Sequence, residues 1–150
     1  MSGDFEAVVA IESYTSAKDG NQSAATLMIC ADPSASGTAM LYATSGVTLS
    51  EYYSHYRFTS GGNSGKKSGG ARTDSGSVKL KLVRTGDSVV AYYSADGGSS
   101  YTQTKSDSFE SALPAEVYVG LAVSSGSNSD AATAKYGAVE IGGVSYGFTD

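Results

Sequence analysis

Ser77–Thr104, SVKLKLVRTGDSVVAYYSADGGSSYTQT, decides the fold. Val78, Leu80 and Leu82 alternate with Lys79, Lys81 and Val83, the period-2 pattern of a strand with one apolar and one wetter face. Gly86-Asp87 supplies a tight turn and Val89–Ser94 returns. Asp96-Gly97-Gly98 supplies a second turn and Tyr101–Thr104 continues, so three antiparallel strands form a meander. An all-β chain follows.

The flanking sequence extends the pattern. Asp4–Ser13 reads as a first strand with Phe5, Ala7, Val9 and Ile11 on one face, and Tyr14–Ser23 as a polar loop around Asp19-Gly20-Asn21. Ala24–Ala31 is a continuous apolar run, expected of a strand buried on both faces. Asp32-Pro33 forces a turn, and Thr38–Thr44 reads as a short strand. In Glu51–Phe58, Tyr52, Ser54, Tyr56 and Phe58 fall on one face, and Tyr53, His55 and Arg57 on the other. Ser60–Ser77, rich in Gly and Ser, predicts a long mobile or decorated loop. Glu116–Ser124 is apolar enough to predict a central strand, Thr133–Gly142 is a last strand, and Val144–Phe148 an edge segment. About ten short strands at this spacing predict a two-sheet antiparallel β-sandwich, a jelly roll.

The 150 residues, with 19 Gly, 11 Tyr and no Trp, form one domain over 1–150 with no repeat or linker. A chain of this length buries about two thirds of its unfolded surface. No run is apolar enough for a membrane helix and no secretory leader is legible. Met1-Ser2, running straight into a strand, fits a domain taken from a longer protein. The single cysteine, Cys30, lies in an apolar run and reads as a buried thiol.

Charge is unevenly spread. The net charge is -5, yet Arg57, Lys66, Lys67, Arg72, Lys79, Lys81 and Arg84 lie together in sequence with Asp74 the one acid among them. Such asymmetry marks either an anionic partner or an ordinary solvated surface. Lys79 and Lys81, two apart on a strand, project from one face roughly 7 Å apart. Lys66 and Lys67 precede that strand, Arg57 and Tyr53 lie on the strand before them, and Lys135 is the base of the last strand. These seven residues are the candidate ligand-binding set. Ammonium groups pair with acids spaced along a polymer while tyrosine rings cover sugar faces.

Catalytic chemistry is not legible. His55 is the one histidine and no GxSxG context accompanies it. No cluster has transition-metal spacing and no phosphate-binding glycine pattern occurs. No cofactor is expected, apart from a structural calcium ion if Asp4, Asp32 and Glu140 meet. Ser94–Tyr101 fits the Asp-box pattern S-x-D-x-G-x-[ST]-aromatic, which assigns Asp96 to holding a turn.

GDFEAVVAIES, ATLMICAD, SHYRFTSGG, KLKLVRTGDSVVAYYSADGGSSYTQ and VYVGLAVSS together resemble the concanavalin A-like jelly-roll modules of bacterial polysaccharide-degrading enzymes. The lysine pattern is similar to that of the pectin-binding modules on ruminal pectate lyases. Family members usually carry Arg at the position of Cys30, and often Trp at those of Lys79 and Tyr101. The resemblance implies a secreted, non-catalytic carbohydrate-binding module. It implies an acidic plant cell-wall polysaccharide, pectate or homogalacturonan, as partner, and a linked catalytic domain. A neutral-glycan binder acting through tyrosines, or a structural or adhesion domain without glycan, are the alternatives. Nucleic acid fits poorly, since the acidic remainder of the surface repels phosphate.

Overall fold

The structure, a computed structural model, describes residues 1–19, 23–73, 77–109 and 112–147. In chain order the strands are β1 (Phe5–Ser16), β2 (Ser23–Cys30), β3 (Tyr42–Val47), β4 (Glu51–Arg57), β5 (Gly65–Ala71) and β6 (Val78–Thr85). They continue with β7 (Ser88–Ser94), β8 (Thr102–Ser108), β9 (Tyr118–Ser125), β10 (Ala132–Ile141) and β11 (Val144–Tyr146). The one helical element described is a 3₁₀ turn at Gly37–Ala39, far too short to cross a membrane.

The strands form two antiparallel sheets, β11-β10-β1-β6-β7-β8 and β5-β4-β3-β2-β9. The fold is the expected all-β sandwich. The quoted meander is the β6-β7-β8 side of the six-stranded sheet, in the predicted alternation: Val78, Leu80, Leu82 and Arg84 point inward and are buried. β2 is buried along nearly its whole length, as its continuous apolar run predicted. The core fills the space between the sheets, with Val9, Leu27, Ile29, Val47, Leu80 and Leu82 all at 1% exposure or less.

The two sheets are clamped by Tyr52 of β4 and Tyr93 of β7. Their rings stack with centroids 3.9 Å apart and planes within 6°, and Tyr52 is fully buried. The Tyr93 hydroxyl donates to the Gly69 carbonyl at 3.0 Å, tying β5 into the same contact.

Four expectations need correction. The Ser60–Ser77 segment is not a long loop, because Gly65–Ala71 pairs antiparallel with β4. Its strand character was hidden because its contacts are made by glycines. A Cβ at Gly65 would lie 2.6 Å from Tyr56 Cε2, and one at Gly69 2.9 Å from Tyr93 Cε1. The neighbouring rings occupy the room that side chains would otherwise fill. (Asp74, like Gly20, Asn21 and Phe148, lies outside the described residues.) The predicted Thr38–Thr44 strand is displaced, with β3 beginning at Tyr42. β1 runs on to Ser16, further than predicted. The Glu116–Ser124 run is not central: among the described residues β9 is an edge, bonded to β2 alone.

The Asp-box hairpin has its expected form. Ser94 Oγ and the Ser100 amide donate to Asp96 Oδ1 at 2.7 and 2.9 Å, and Ser100 Oγ donates to Oδ2 at 2.6 Å. These bonds hold the Asp96 carboxyl well below the usual range. Arg84 closes the opposite end of the sheet. Its guanidinium is buried and donates to the carbonyls of Gly86, Pro114 and Ala115.

Leu80 sits at the centre of the core with no exposure. Leu80→Ala is expected to lower the unfolding free energy by about 2–5 kcal/mol, read from the urea midpoint at unchanged slope. A loss within the scatter of surface variants would contradict this placement of the meander.

Candidate functional site

Alternation along β4 sends Tyr52, Ser54 and Tyr56 inward and leaves Tyr53, His55 and Arg57 on the outer face of the five-stranded sheet. Around them lie small or flexible side chains, including Ala24, Thr26 and Met28 of β2, Thr44 of β3 and Ala122 of β9. The result is an open trough of about 540 Å³ across the sheet, closed at one end by Gly37 and Met40. Its floor is set by Tyr53, 6% exposed, whose ring lies flat over Gly46. A Cβ there would stand 2.6 Å from Tyr53 Cε1 and 2.9 Å from Thr26 Cγ2, so only glycine fits. Burial drives the Tyr53 hydroxyl well above its ordinary value.

Arg57 ties the end of the trough together. Its Nε donates to the Gly62 carbonyl at 3.1 Å, and its Nη1 to the carbonyls of Gly37 and Met40. The guanidinium also lies 5.6 Å from the centre of the Tyr42 ring. Carbonyls accept from its Nε and Nη1 without cancelling its charge, and among the described residues no carboxylate pairs with it.

His55 stands beside it, edge-on to Tyr42 with centroids 5.8 Å apart. Burial first, then the charges of Lys66 and Arg57, push its imidazole below the ordinary value of 6.5. Lys66 reaches across from β5, pairing with Glu51 and lying 5.2 Å from the Tyr53 ring centre.

The candidate set is thus divided between two faces. Arg57 and Tyr53 line the trough, and Lys66, opposite His55 on β5, stands beside it with its ammonium near the Tyr53 ring. Lys67, the next residue, faces the other way by alternation and is exposed. Lys79, Lys81 and Lys135 lie on the outer face of the six-stranded sheet, on the far side of the sandwich. Sequence reasoning missed the trough's small residues, because alanine and threonine carry no chemical signature.

That far face is also close to neutral. Lys81 Nζ lies 3.5 Å from Glu6 Oε2 and Lys135 Nζ 2.8 Å from Glu12 Oε2. Glu140 stands in the same cross-strand row as Val8 and Lys81. Lys81 is further held between rings, 4.0 Å from the centre of Tyr101 and 4.9 Å from that of Tyr92. Lys79 has no ion pair among the described residues, and its stem lies against Gly98.

Tyrosines of Glu51–Phe58 do not form an exposed stacking strip, because Tyr52 and Tyr53 are buried and Tyr56 stacks on Phe58 at 4.9 Å. The acids considered for calcium do not meet. Asp4 accepts from the Gly86 amide at 2.7 Å, Asp32 folds back onto Ser34, and Glu140 lies on β10. Among the described residues no three His, Cys, Asp or Glu side chains gather as a metal site. Cys30 is buried and its thiol is pushed up by that burial, which makes it a poor nucleophile.

Residues 1–142 match the family model described as Protein of unknown function (DUF1583) C domain. The chain belongs to the DUF1583 C-domain family. No curated protein matches it in sequence. A functionally unknown protein from Saccharomyces cerevisiae has a similar structure, at TM-score 0.65 and 12% identity over 94% of this chain and 70% of that one. A scytalido-glutamic peptidase with a transition-state analogue inhibitor is similar at TM-score 0.52 and 18% identity, over 97% of this chain and 79% of that one. At these identities the likeness is one of fold alone.

A histidine pushed down in the folded state binds fewer protons than in the unfolded state. Its contribution to stability is therefore full above the ordinary value of 6.5 and is lost as pH falls through that value towards the folded one. Thermal melts between about pH 7 and pH 5 are expected to show this decline. His55→Gln is expected to flatten it, and an NMR titration placing His55 at or above the ordinary value would contradict the assignment.

Proposed function

We propose that this domain is a non-catalytic carbohydrate-binding module whose site is the trough of the five-stranded sheet. Its ligand class is an acidic plant cell-wall polysaccharide of the pectate type. The observation that carries the reading is Arg57, whose charge is held by carbonyls and faces the trough without a carboxylate partner. An ionised uronate entering the trough would supply the missing counter-charge, a charge-assisted contact of the stronger kind. His55 and Lys66 lie close enough on neighbouring strands to reinforce it.

The open shape supports an extended polymer over a small enclosed ligand. Sugar recognition falls mainly to polar and ionic groups, since Tyr42 and Tyr53 are buried. In this reading His55 binds the ligand: its ring lies edge-on to Tyr42, beside the charges of Lys66 and Arg57. In the full-length protein the module would keep a secreted, linked polysaccharide-degrading enzyme on its substrate.

Placing the site in the trough changes which lysine matters. On affinity gels containing polygalacturonate the domain is expected to be retarded. Lys66→Ala combined with His55→Ala should weaken binding about tenfold, whereas Lys79→Ala on the far face should leave it unchanged. Binding is also expected to strengthen from about pH 7 to about pH 5, where uronates stay ionised. A bound anion favours protonated His55, so the complex takes up a proton. Salt should weaken the interaction. Unaltered mobility on pectate, with retardation on neutral xylan or β-glucan, would replace this reading with a neutral-glycan site. Loss on Lys79→Ala alone would move the site to the other face.

A further inference from the structure

Four strands form the margins of the two sheets: β5 and β9 in one, β8 and β11 in the other. An edge strand presents unpaired main-chain N–H and C=O groups, which proteins shield with charge, bulges or brevity. β5 carries Lys66 and Lys67 and a register shift near Gly70. β8 carries Lys105 and pairs with β7 through a bulge. β11 is three residues long.

β9 has none of these devices. It runs for eight residues, YVGLAVSS, in unbroken register against β2. No charged residue or proline occurs from Val117 to Ser129. Next to it, Val119, Leu121, Val139, Ile141 and Tyr146 line an apolar groove of about 430 Å³. Tyr118 and Val123 on β9 are 56% and 47% exposed, and Val144 and Tyr146 on β11 are 55% and 48% exposed.

The strand also reads nearly the same in both directions about Leu121: Val, small, Leu, small, Val. We propose that β9 pairs antiparallel with β9 of a second copy of this chain, about a two-fold axis through Leu121. The two five-stranded sheets then join into one of ten strands. In that register Val119 faces Val123 of the copy on the core side, and Gly120 faces Ala122 on the trough side. A register displaced by one residue would set the core face of one copy against the trough face of the other.

Charge and area agree with a second copy as the occupant. The uncharged margin brings no like charges together on self-association. Eight residues span about 27 Å, and two stacked sheets with their side chains make a margin about 20 Å deep. The contact therefore buries roughly 500 Å² per copy and about 1,000 Å² in total, the lower bound for a specific interface. A weak dimer is expected.

Sedimentation equilibrium of the whole domain, without polysaccharide, tests this separately from the glycan reading. Over a concentration series reaching about 1 mM, the wild type is expected to pass from one chain to two. Val123→Lys, at an exposed position, should weaken the dimer at least about tenfold while leaving the circular-dichroism melt unchanged. Leu121→Cys should form a disulfide-linked dimer under mild oxidation, because the axis sets this position against itself, while buried Cys30 stays out of reach. A wild type that remains one chain throughout overturns the proposal. So does a dimer that survives Val123→Lys, or one that Leu121→Cys fails to cross-link.

Discussion

The stacked pair Tyr52 and Tyr93 is the contact on which the rest of the sandwich depends. It joins β4 of one sheet to β7 of the other, at the point where β5 also attaches through Gly69. Two aromatic rings packed face to face exclude water over a large area and fix the spacing of the sheets. With Tyr52 committed inward, alternation leaves Tyr53, His55 and Arg57 no choice but the outer face. The trough is thus a consequence of how the core is closed. The glycines of β5 belong to the same arrangement, since a side chain at Gly65 or Gly69 would collide with a ring.

Charges close in sequence need not stay together in a sheet. The basic segment Arg57–Arg84 looks like one cationic surface, yet folding deals its residues to two opposite faces. On the six-stranded sheet Lys81 of β6 and Lys135 of β10 both meet glutamates of β1, a strand near the start of the chain. Ion pairs of this exposed kind add little stability, but they cancel the field that would attract a polyanion. The arginines behave differently. Arg57 and Arg84 each bond three main-chain carbonyls, which order the loops without neutralising the cation. Of these two, Arg57 does so at the margin of an open trough.

Much of the fold was legible because strand alternation is a local signal. The β6–β8 meander, the apolar β2 and the two faces of β4 follow directly from residue order. What was not legible depends on partners distant in sequence. β5 is stabilised by rings contributed by other strands, so its own composition reads as loop. The β9 sequence reads as central because a run this apolar implies burial on both flanks. In the structure its core-side residues Val119 and Leu121 do pack inward, while one flank of its backbone has no neighbouring strand among the described residues. Hydrophobicity reports the faces of a strand and says nothing of its edges. The site was half-read for the same reason: Arg57, Tyr53 and Lys66 were named, but no local pattern separates them from Lys79, Lys81 and Lys135.

The small residues that open the trough also shape its unguarded margin. Thr26 lines the trough and bonds across to β9, its Oγ1 donating to the Ala122 carbonyl at 3.1 Å. The Tyr136 hydroxyl reaches the same carbonyl at 2.6 Å and accepts from the Thr26 amide at 3.1 Å. β9 is therefore held firmly on its inner side, and fraying is not its means of avoiding association. Large or charged side chains at Gly120 or Ala122 would protect the edge, but they would also stand as a wall across the end of the trough. The trough is gated at the Arg57 end by a pinned loop and left low at the β9 end. The openness of the trough and the vulnerability of the edge therefore arise from the same residues.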